Sequence, residues 1–440
     1  MSEKRLFAVA GNPVLHSLSP EIFKRLFRAA GMDAVYFRLA AEDVQEIMDA
    51  AGAMGLTGLN ITSPFKEDIL PYLENVDEPA RLIGAVNAIV ARPGGYEGFN
   101  TDHLGVIGAL RAAGVSPGGR RSVVLGAGGA ARAAAYALLR AGASPLTIVN
   151  RTPNKAKAAA RKLGCACCSM KDSAEPLREC DICISCLPPG SDRSAPPGLR
   201  KDSVFLAAAY RSSVPALRGP VGGMTMLDGR TWLLHQALPS FRLMTGTEAP
   251  EFLRDPAVWK RLDRVSRPKP NVALVGFSGA GKTTVGRALA EAMGYEFADT
   301  DALAERRSGI AVAEIFRKRG ESGFRESEQA VIQDVIPVAR RTVFSIGGGG
   351  LGRADNRSVI GRHCLVVWLW APLGVSLGRI KPGSRPLLDE GARGARAEKL
   401  FAARQPVYAR ASDFAVISEK KTVARVVERI RNEIDQALAD

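Results

Sequence analysis

Two glycine-rich loops, each entered from an apolar run, dominate this chain: Ser122-Val-Val-Leu-Gly-Ala-Gly-Gly-Ala-Ala-Arg132 and Asn271-Val-Ala-Leu-Val-Gly-Phe-Ser-Gly-Ala-Gly-Lys-Thr-Thr284. The first has the G-x-G-x-x-A spacing of a dinucleotide loop, the second the G-x-x-x-x-G-K-T spacing of a nucleoside-triphosphate loop. Both work in the same way. A strand ends beside a helix start, unpaired backbone N–H groups point at phosphate oxygens, and glycines let the chain approach closely. Such loops require strand–loop–helix units on a parallel sheet, so the chain is expected to be an α/β protein handling two phosphate-bearing cofactors.

At 440 residues the chain exceeds what one hydrophobic core usually serves, and two or three domains are expected. Its start reads as a first strand, not a signal peptide, and the longest apolar run, Cys364 to Gly378, is broken by Pro372. No membrane association and a cytoplasmic location follow as expectations. The net charge of +15 invites a nucleic-acid reading, but the Lys and Arg residues are scattered and lack aromatic interleaving. Anionic small ligands account for the excess, and no nucleic-acid partner is expected. Six of the seven cysteines fall between Cys165 and Cys186. Cys180, Cys183 and Cys186 have a metal-like spacing, but a strand there would turn residues three apart to opposite faces. Structural thiols are expected.

Residues 1 to about 100 alternate strand-like and helix-like segments, at Leu6–Ala10, Pro20–Ala30, Ala34–Leu39, Asp43–Met54 and Gly58–Thr62, which predicts an α/β layer with a parallel sheet. A helix from Asp102 to Ala113 leads through Ser116-Pro-Gly-Gly119 into the dinucleotide loop. Further βα units follow, then helices at 230–246 and Glu251–Val265. Ser266-Arg-Pro-Lys-Pro270 reads as a linker. The expected division is a lobe of residues 1–103 with a returning helix near 230–265, a dinucleotide lobe of 104–229, a linker at 266–270 and a third domain at 271–440.

The dinucleotide loop, Gly126-Ala127-Gly128-Gly129-Ala130, is followed after the next strand by Asn150-Arg151-Thr152, with Lys155 close behind. An NAD fold places a carboxylate there for the ribose hydroxyls. An amide, a guanidinium and a hydroxyl suit the 2′-phosphate of NADP(H). Upstream stand Val9-Ala-Gly-Asn-Pro-Val-Leu-His-Ser17-Leu-Ser19-Pro20, Leu59-Asn-Ile-Thr62-Ser-Pro-Phe-Lys66, Gly84-Ala-Val-Asn87 and Phe99-Asn-Thr-Asp102, and downstream Gly229 to Gln236. Together these segments resemble shikimate dehydrogenase over residues 5 to 260. The resemblance implies a two-lobed dehydrogenase with a Rossmann NADP lobe. It also implies that Ser17 and Ser19 hold a substrate carboxylate, that Thr62, Asn87, Asp102 and Gln236 meet its ring hydroxyls, and that Tyr210 also binds the substrate. Lys66 and Asp102 form the catalytic pair, and Gly229 lies on the cofactor side. A ketone reduced by hydride develops an alkoxide and needs an adjacent proton-donating cation, which a lysine held by an aspartate provides.

Each residue also has a plainer reading. Ser19 before Pro20 could cap a helix, Asp102 could cap the helix that follows it, and a lone lysine is usually solvated. The chain departs from the family pattern at Ala207-Ala-Ala-Tyr210 and at Ser185-Cys-Leu-Pro-Pro-Gly190, both expected near the nicotinamide.

In the second half, Gly279, Ala280, Gly281, Lys282, Thr283 and Thr284 form the triphosphate loop. Lys282 would neutralise the β- and γ-phosphates of ATP, and Thr283 would ligate Mg²⁺. Four further segments resemble shikimate kinase: Phe297-Ala-Asp299-Thr-Asp301, Gly323-Phe-Arg325-Glu-Ser-Glu328, Ser345-Ile-Gly347-Gly348-Gly349-Gly350, and Arg385-Pro-Leu-Leu388 with Arg404-Gln-Pro-Val-Tyr408. The resemblance implies a P-loop kinase domain with a parallel sheet. In it Asp299 helps hold Mg²⁺ and Asp301 takes the attacking hydroxyl. Arg325 and Arg404 clamp the carboxylate, and Gly347 to Gly349 pack against the ring. Arg379 and Arg385 belong to a lid over the phosphates. The plainer reading is that Asp301 caps a helix beginning at Ala302 and that the arginines are solvated.

The expected function is bifunctional: NADPH-dependent reduction of 3-dehydroshikimate to shikimate, then ATP- and Mg²⁺-dependent phosphorylation of shikimate, by a monomer or homodimer. The alternative is an active kinase whose dehydrogenase-like part only binds ligand, is weakly active or prefers quinate. A basic nucleic-acid-binding ATPase is a third reading.

Overall fold

The computed structural model describes residues 4–187, 195–209, 219–221, 223–254, 269–380 and 393–439, in two compact units. No helix among the described residues is long and apolar enough to cross a membrane.

One unit gathers residues 1–17, 33–56 and 266–439. Seven strands run parallel in the order Glu296–Asp299, Thr342–Ser345, Asn271–Val275, Cys364–Trp370, Phe414–Ile417, Ala34–Ala40 and Arg5–Gly11. Cys364-Leu-Val-Val-Trp-Leu-Trp370 has the continuous apolar character of a parallel strand buried on both faces. Helix Lys282–Met293 starts directly after the triphosphate loop. The terminal helix Val423–Ala439 buries a stripe of Val426, Val427 and Ile430.

This grouping differs from the expected separation of residues 1–103 from 271–440 at the linker. Strand Phe414–Ile417 takes Ala34–Ala40 as its parallel neighbour, with Ala415 opposite Leu39 and Val416 opposite Ala40. Phe37 lies against Trp368 with ring centroids 5.3 Å apart. Lys421, Arg425 and Arg429 of the C-terminal segment all pair with Glu42. Backbone pairing and a shared core thus divide the expected first lobe between two units.

The other unit holds residues 18–32 and 57–265. Strands Leu56–Ile61, Ala88–Arg92, Gly95–Phe99 and Asn75–Val76 lie in that order. They correct the expectation of a purely parallel layer, because Leu59 faces Ile89 and Val90 faces Glu97 in antiparallel pairs. The cause is local: Pro93-Gly94, with Gly94 at φ +96°, closes a two-residue hairpin between Arg92 and Gly95.

A second sheet has the order Gly219–Val221, Met224–Leu227, Val204–Ala207, Ile182–Ser185, Ser122–Leu125, Leu146–Asn150 and Ala166–Ser169, parallel except for the Gly219–Val221 edge. Cys180 and Cys183 pack with Leu177 and Phe205, while Cys186 packs with a separate cluster containing Val124 and Ile184. All seven cysteines are free thiols. Of the expected helix at Glu251–Val265 the described part is a 3-10 turn, Glu251–Arg254. The rest of that helix, linker residues 266–268, Pro188-Pro189-Gly190, Tyr210 and Arg385 lie outside the described residues.

Candidate active sites

Lys66 follows a turn in which Phe65 N–H donates to the Thr62 carbonyl, and its own carbonyl accepts from Val86 N–H. These bonds fix the lysine backbone before its side chain is considered. Lys66 Nζ lies 2.6 Å from Asp102 Oδ2, with side chains 19% and 4% exposed. Asn87 Nδ2 donates to Asp102 Oδ1 at 2.9 Å and to Gln236 Oε1 at 2.5 Å, with Thr101 Oγ1 at 3.1 Å. Two amide hydrogens therefore serve three acceptors, a network with spare acceptor capacity for a ligand hydroxyl. Lys66, Asn87, Asp102 and Gln236 are thus brought together. Thr62 is half-buried just past strand Leu56–Ile61, while Ser17 and Ser19 are buried.

The capping roles fail. Helix Ser19–Ala29 has Leu18 at its N-cap, and helix Asp102–Ala112 has Thr101 there, in both cases without a side-chain cap. Asp102 instead points its carboxylate at Lys66 and Asn87, and its carbonyl accepts from Trp232 Nε1 at 2.9 Å.

The dinucleotide loop leaves strand Ser122–Leu125 and enters helix Gly129–Arg140, whose N-cap is Gly128. Gly129 packs closely on the lysine segment: a Cβ there would lie 3.7 Å from Lys66 Cβ and 3.0 Å from Ala85 Cβ. A cleft of about 970 Å³ is lined by Gly126, Ala127, Gly128, Asn150, Arg151, Thr152 and Lys155. Asn150 Nδ2 donates to the Thr152 carbonyl, and Arg151, Thr152 and Lys155 are exposed. Gly129 and Ala130 open the helix, and Gly229 opens helix Gly229–Thr245 against the Ala208 and Ala209 carbonyls.

Arg132 received no role from the sequence. It donates to the Ile83, Gly84 and Ala127 carbonyls and pairs with Glu67, tying the loop's helix to the segment that ends in Asn87. Its place four residues after Gly128 was the available signal. Burial pushes the Cys186 thiol far above its ordinary range, so this neighbour of the Gly126 turn stays an uncharged thiol.

In the other unit, Lys282 Nζ donates to the Gly276 and Phe277 carbonyls, both at 3.0 Å, so the lysine is folded back over its own loop. Gly279 has φ +83°, and a Cβ there would strike the Ser376 carbonyl. Gly281 is the N-cap of the following helix, preceded by Ala280 and followed after Lys282 by Thr283 and Thr284. Thr283 Oγ1 lies 2.9 Å from Asp299 Oδ2 and 3.5 Å from Ser345 Oγ, a cluster of oxygens suited to a hard cation.

Asp299, not Asp301, caps helix Thr300–Ser308: its Oδ1 accepts from Asp301 N–H. Asp301 is left to face the glycine run, where Gly347 lies against both Asp301 Oδ1 and Glu328 Oε1. Gly320, at φ +65°, breaks helix Val312–Val335, and the part after the break carries Arg325 and Glu328. Arg325 Nη1 pairs with Glu328 Oε2 at 2.7 Å and its guanidinium covers Gly349. Gly348 lies between Arg404 Nη1 and Ser278 Oγ, so Asp301, Arg325, Arg404 and the triphosphate loop converge on one glycine run. The solvated-arginine reading of Arg325 fails, because its side chain is 19% exposed.

Glu328 and Tyr408 were given no role. Glu328 is 1% exposed and its Oε1 has no hydrogen-bond partner among the described residues; burial pushes its carboxyl up, with Arg325 pulling it back. Tyr408 donates to the Gly348 carbonyl at 2.5 Å, and burial raises its hydroxyl to about 12. Their place beside the arginines in two short motifs was the signal. Arg379 donates to the Ser418 carbonyl at the end of helix Leu373–Gly378.

Family models match the chain in three stretches: shikimate dehydrogenase substrate binding domain over residues 9–89, shikimate / quinate 5-dehydrogenase over 111–191, and shikimate kinase over 278–435. The chain is 37% identical over 261 residues to shikimate dehydrogenase (NADP(+)) of Thermococcus kodakarensis, covering 57% of this chain and 95% of the relative. A Moorella thermoacetica relative of the same description is 35% identical over 278 residues, covering 57% of this chain and 91% of its own. Among solved structures, shikimate dehydrogenase from Aquifex aeolicus matches with TM-score 0.54 and 31% identity, over 59% of this chain and 98% of that one. The Thermus thermophilus shikimate 5-dehydrogenase in complex with NADP(H) and shikimate matches with TM-score 0.51 and 30% identity, over 58% and 99%.

Proposed function

The chain belongs to the shikimate dehydrogenase family and carries a fused shikimate kinase domain, and from that premise we propose that it reduces 3-dehydroshikimate to shikimate and then phosphorylates shikimate. The observation that carries the first step is the Lys66–Asp102 pair, bonded to Asn87 and packed against Gly129 of the dinucleotide loop. By activity, the chain divides into a substrate lobe of 1–103 with the helix near 230–265, an NADP lobe of 104–229 and a kinase domain of 271–440.

The cofactor that this lobe would hold, NADPH, would supply hydride to the carbonyl carbon when bound. As the carbonyl oxygen gains charge, Lys66 donates a proton to it, and Asp102 holds the ammonium in place. Ser17 and Ser19 take the ring carboxylate. Thr62, Asn87, Asp102 and Gln236 take the hydroxyls, and Tyr210 also binds the substrate. Gly126 to Ala130 and Gly229 receive the cofactor, and Asn150, Arg151, Thr152 and Lys155 read its 2′-phosphate.

In the kinase step Gly279 to Thr284 cradle ATP, with Lys282 leaving its loop carbonyls for the phosphates. Thr283 and Asp299 would hold Mg²⁺, which would neutralise phosphate charge when bound. Asp301 takes the proton of the attacking hydroxyl, and Arg325 and Arg404 hold the carboxylate over Gly347, Gly348 and Gly349. Arg379 belongs to the ATP-binding lid segment, and Arg385 acts on the transferring charge. Seven free thiols suit a reducing cytoplasm, and a monomer or homodimer suffices. Covalent connection in one chain keeps the two sites at high mutual concentration without requiring a tunnel.

The test is to mix the full chain with 3-dehydroshikimate, NADPH, ATP and Mg²⁺ and follow products by mass. Wild type yields the phosphorylated acid, Lys66→Ala stops at the ketone, and Asp301→Ala accumulates shikimate. The reverse pattern, or loss of neither step, overturns the assignment. A quinate-directed dehydrogenase is the second reading, favoured by the match to quinate dehydrogenase from Corynebacterium glutamicum in complex with NAD, with TM-score 0.50 and 28% identity over 58% of this chain and 99% of that one. Comparing kcat/KM for the two acids decides between them.

A further inference from the structure

The terminal helix Val423–Ala439 presents Val426, Val427 and Ile430 to the core, and on the same stripe stands Glu433, 1% exposed. A buried carboxylate costs several kcal/mol, and an apolar residue of similar size would pack there at no such cost. Its partners explain it. Glu433 Oε1 and Oε2 accept from Val14 N–H at 3.1 and 2.9 Å, and Oε2 accepts from Leu15 N–H at 2.8 Å. Burial pushes the carboxyl up, while these two N–H groups and Arg429 pull it back.

The segment so held is the loop that leaves strand Arg5–Gly11 and ends at Ser17. Ser17 N–H closes a turn on the Val14 carbonyl at 2.9 Å. The Ser17 carbonyl accepts from Arg38 Nε and Nη2 at 2.9 and 2.6 Å, and Arg38 Nη1 reaches the Asp413 carbonyl at 3.1 Å. Asp413 itself accepts from Val366 N–H and from Lys269. The loop is therefore gripped at its start by the last helix of the kinase sequence and at its end by an arginine fastened to the kinase sheet. All of these groups belong to one compact unit.

We infer that Glu433 and Arg38 are positioning residues for the dehydrogenase reaction: the kinase portion of the chain holds the 13–17 loop so that Ser17 meets the substrate carboxylate. Three directed hydrogen bonds on two adjacent N–H groups fix orientation as well as place, which an apolar contact cannot do. The inference rests on the reading above that Ser17 binds that carboxylate. It gives the fusion a chemical purpose, since part of one active site is set by the sequence of the other enzyme.

The test uses the full chain and two assays on the same preparation: NADP⁺-dependent oxidation of shikimate, and ATP-dependent phosphorylation of shikimate. Glu433→Gln keeps the shape but turns an amide nitrogen toward an N–H donor. We expect the dehydrogenase KM for shikimate to rise about tenfold, the scale of one lost bond to a charged group. Dehydrogenase kcat, KM for NADP⁺ and both kinase KM values should stay within about twofold. Arg38→Met, acting on the other end of the loop, should give the same selective rise and serves if Glu433→Gln folds poorly. Ser17→Ala separates the two layers. If it raises the dehydrogenase KM for shikimate while neither other variant does, the inference falls and the reading of Ser17 stands. If Ser17→Ala leaves KM unchanged, that reading falls and the inference with it. Parallel loss of both activities in Glu433→Gln and Arg38→Met marks a general structural role and also overturns the inference.

Discussion

Replacing Lys66 by Met, alone and together with Asp102→Asn, separates chemistry from packing in the dehydrogenase site. Asp102 is 4% exposed and, among the described residues, keeps Asn87 Nδ2 as its side-chain donor once the lysine is gone. Removing one partner of a buried ion pair costs about 3–5 kcal/mol because the other charge is left uncompensated. Lys66 is 19% exposed, so water can partly replace it and the lower end, about 3 kcal/mol, applies. At about 2–4 °C per kcal/mol for a unit of this size, Lys66→Met should lower the melting temperature by about 6–12 °C. Adding Asp102→Asn removes the stranded charge and should restore at least half of that loss. Activity should behave differently. Loss of a positioned proton donor lowers kcat by about 10²–10⁴, and the second substitution gives none of it back. NADPH consumption reports the first activity, and shikimate phosphorylation by the same molecules serves as an internal control that should not change. Recovery of reduction in the double variant, or kcat within about tenfold of wild type in Lys66→Met, would refute the assigned proton role.

Three further outcomes are expected. Arg151→Ala with Lys155→Ala should cut the preference for NADPH over NADH by about 10- to 100-fold in kcat/KM, the value of one or two charge-assisted bonds; an unchanged ratio would mean that the cleft does not read the 2′-phosphate. Gly279→Ala forces a Cβ onto the Ser376 carbonyl at a backbone φ of +83°, so ATP-dependent turnover should fall by at least about tenfold with dehydrogenase activity retained; equal loss of both points to misfolding instead. Burial pushes the Glu46 carboxyl from 4.5 to about 7 against the pull of Lys421. The folded chain then holds this proton more tightly than the unfolded chain does, so the stability it contributes is full below 4.5 and is lost as pH rises through about 7. Glu46→Gln should therefore be more stable than wild type at about pH 8, by up to about 3 kcal/mol, and equal to it at about pH 4. A pH-independent difference in thermal melts would contradict this.

The legibility of the chain follows the range of the interactions involved. Both phosphate loops were readable because strand, glycines and helix start are contiguous, and the helices begin where the loops predict, at Gly129 and Lys282. Lys66 and Asp102 are separated by 35 intervening positions, and only their joint occurrence with other motifs singled them out. The plainer cap readings missed by one or two residues: Leu18, Thr101 and Asp299 stand at the caps that those readings gave to Ser19, Asp102 and Asp301. Cap-forming residue types cluster near helix starts, and sequence alone does not fix which one turns the corner. The pairing of Phe414–Ile417 with Ala34–Ala40 had no local signal, because strand neighbours far apart in sequence are chosen by the packed core. Glu433 did leave one trace, a charge in helical register with Val426 and Ile430.

The continuous sheet across Ala34–Ala40 and Phe414–Ile417 has a consequence for anyone wishing to split this polypeptide at its proline linker. Severing it would strip a neighbour from both strands and bare two rows of backbone donors and acceptors, together with the tilted, packed rings of Phe37 and Trp368. Raw edges of that kind recruit other chains, and each fragment would need a new edge guard, such as a lysine or a proline, to remain dispersed.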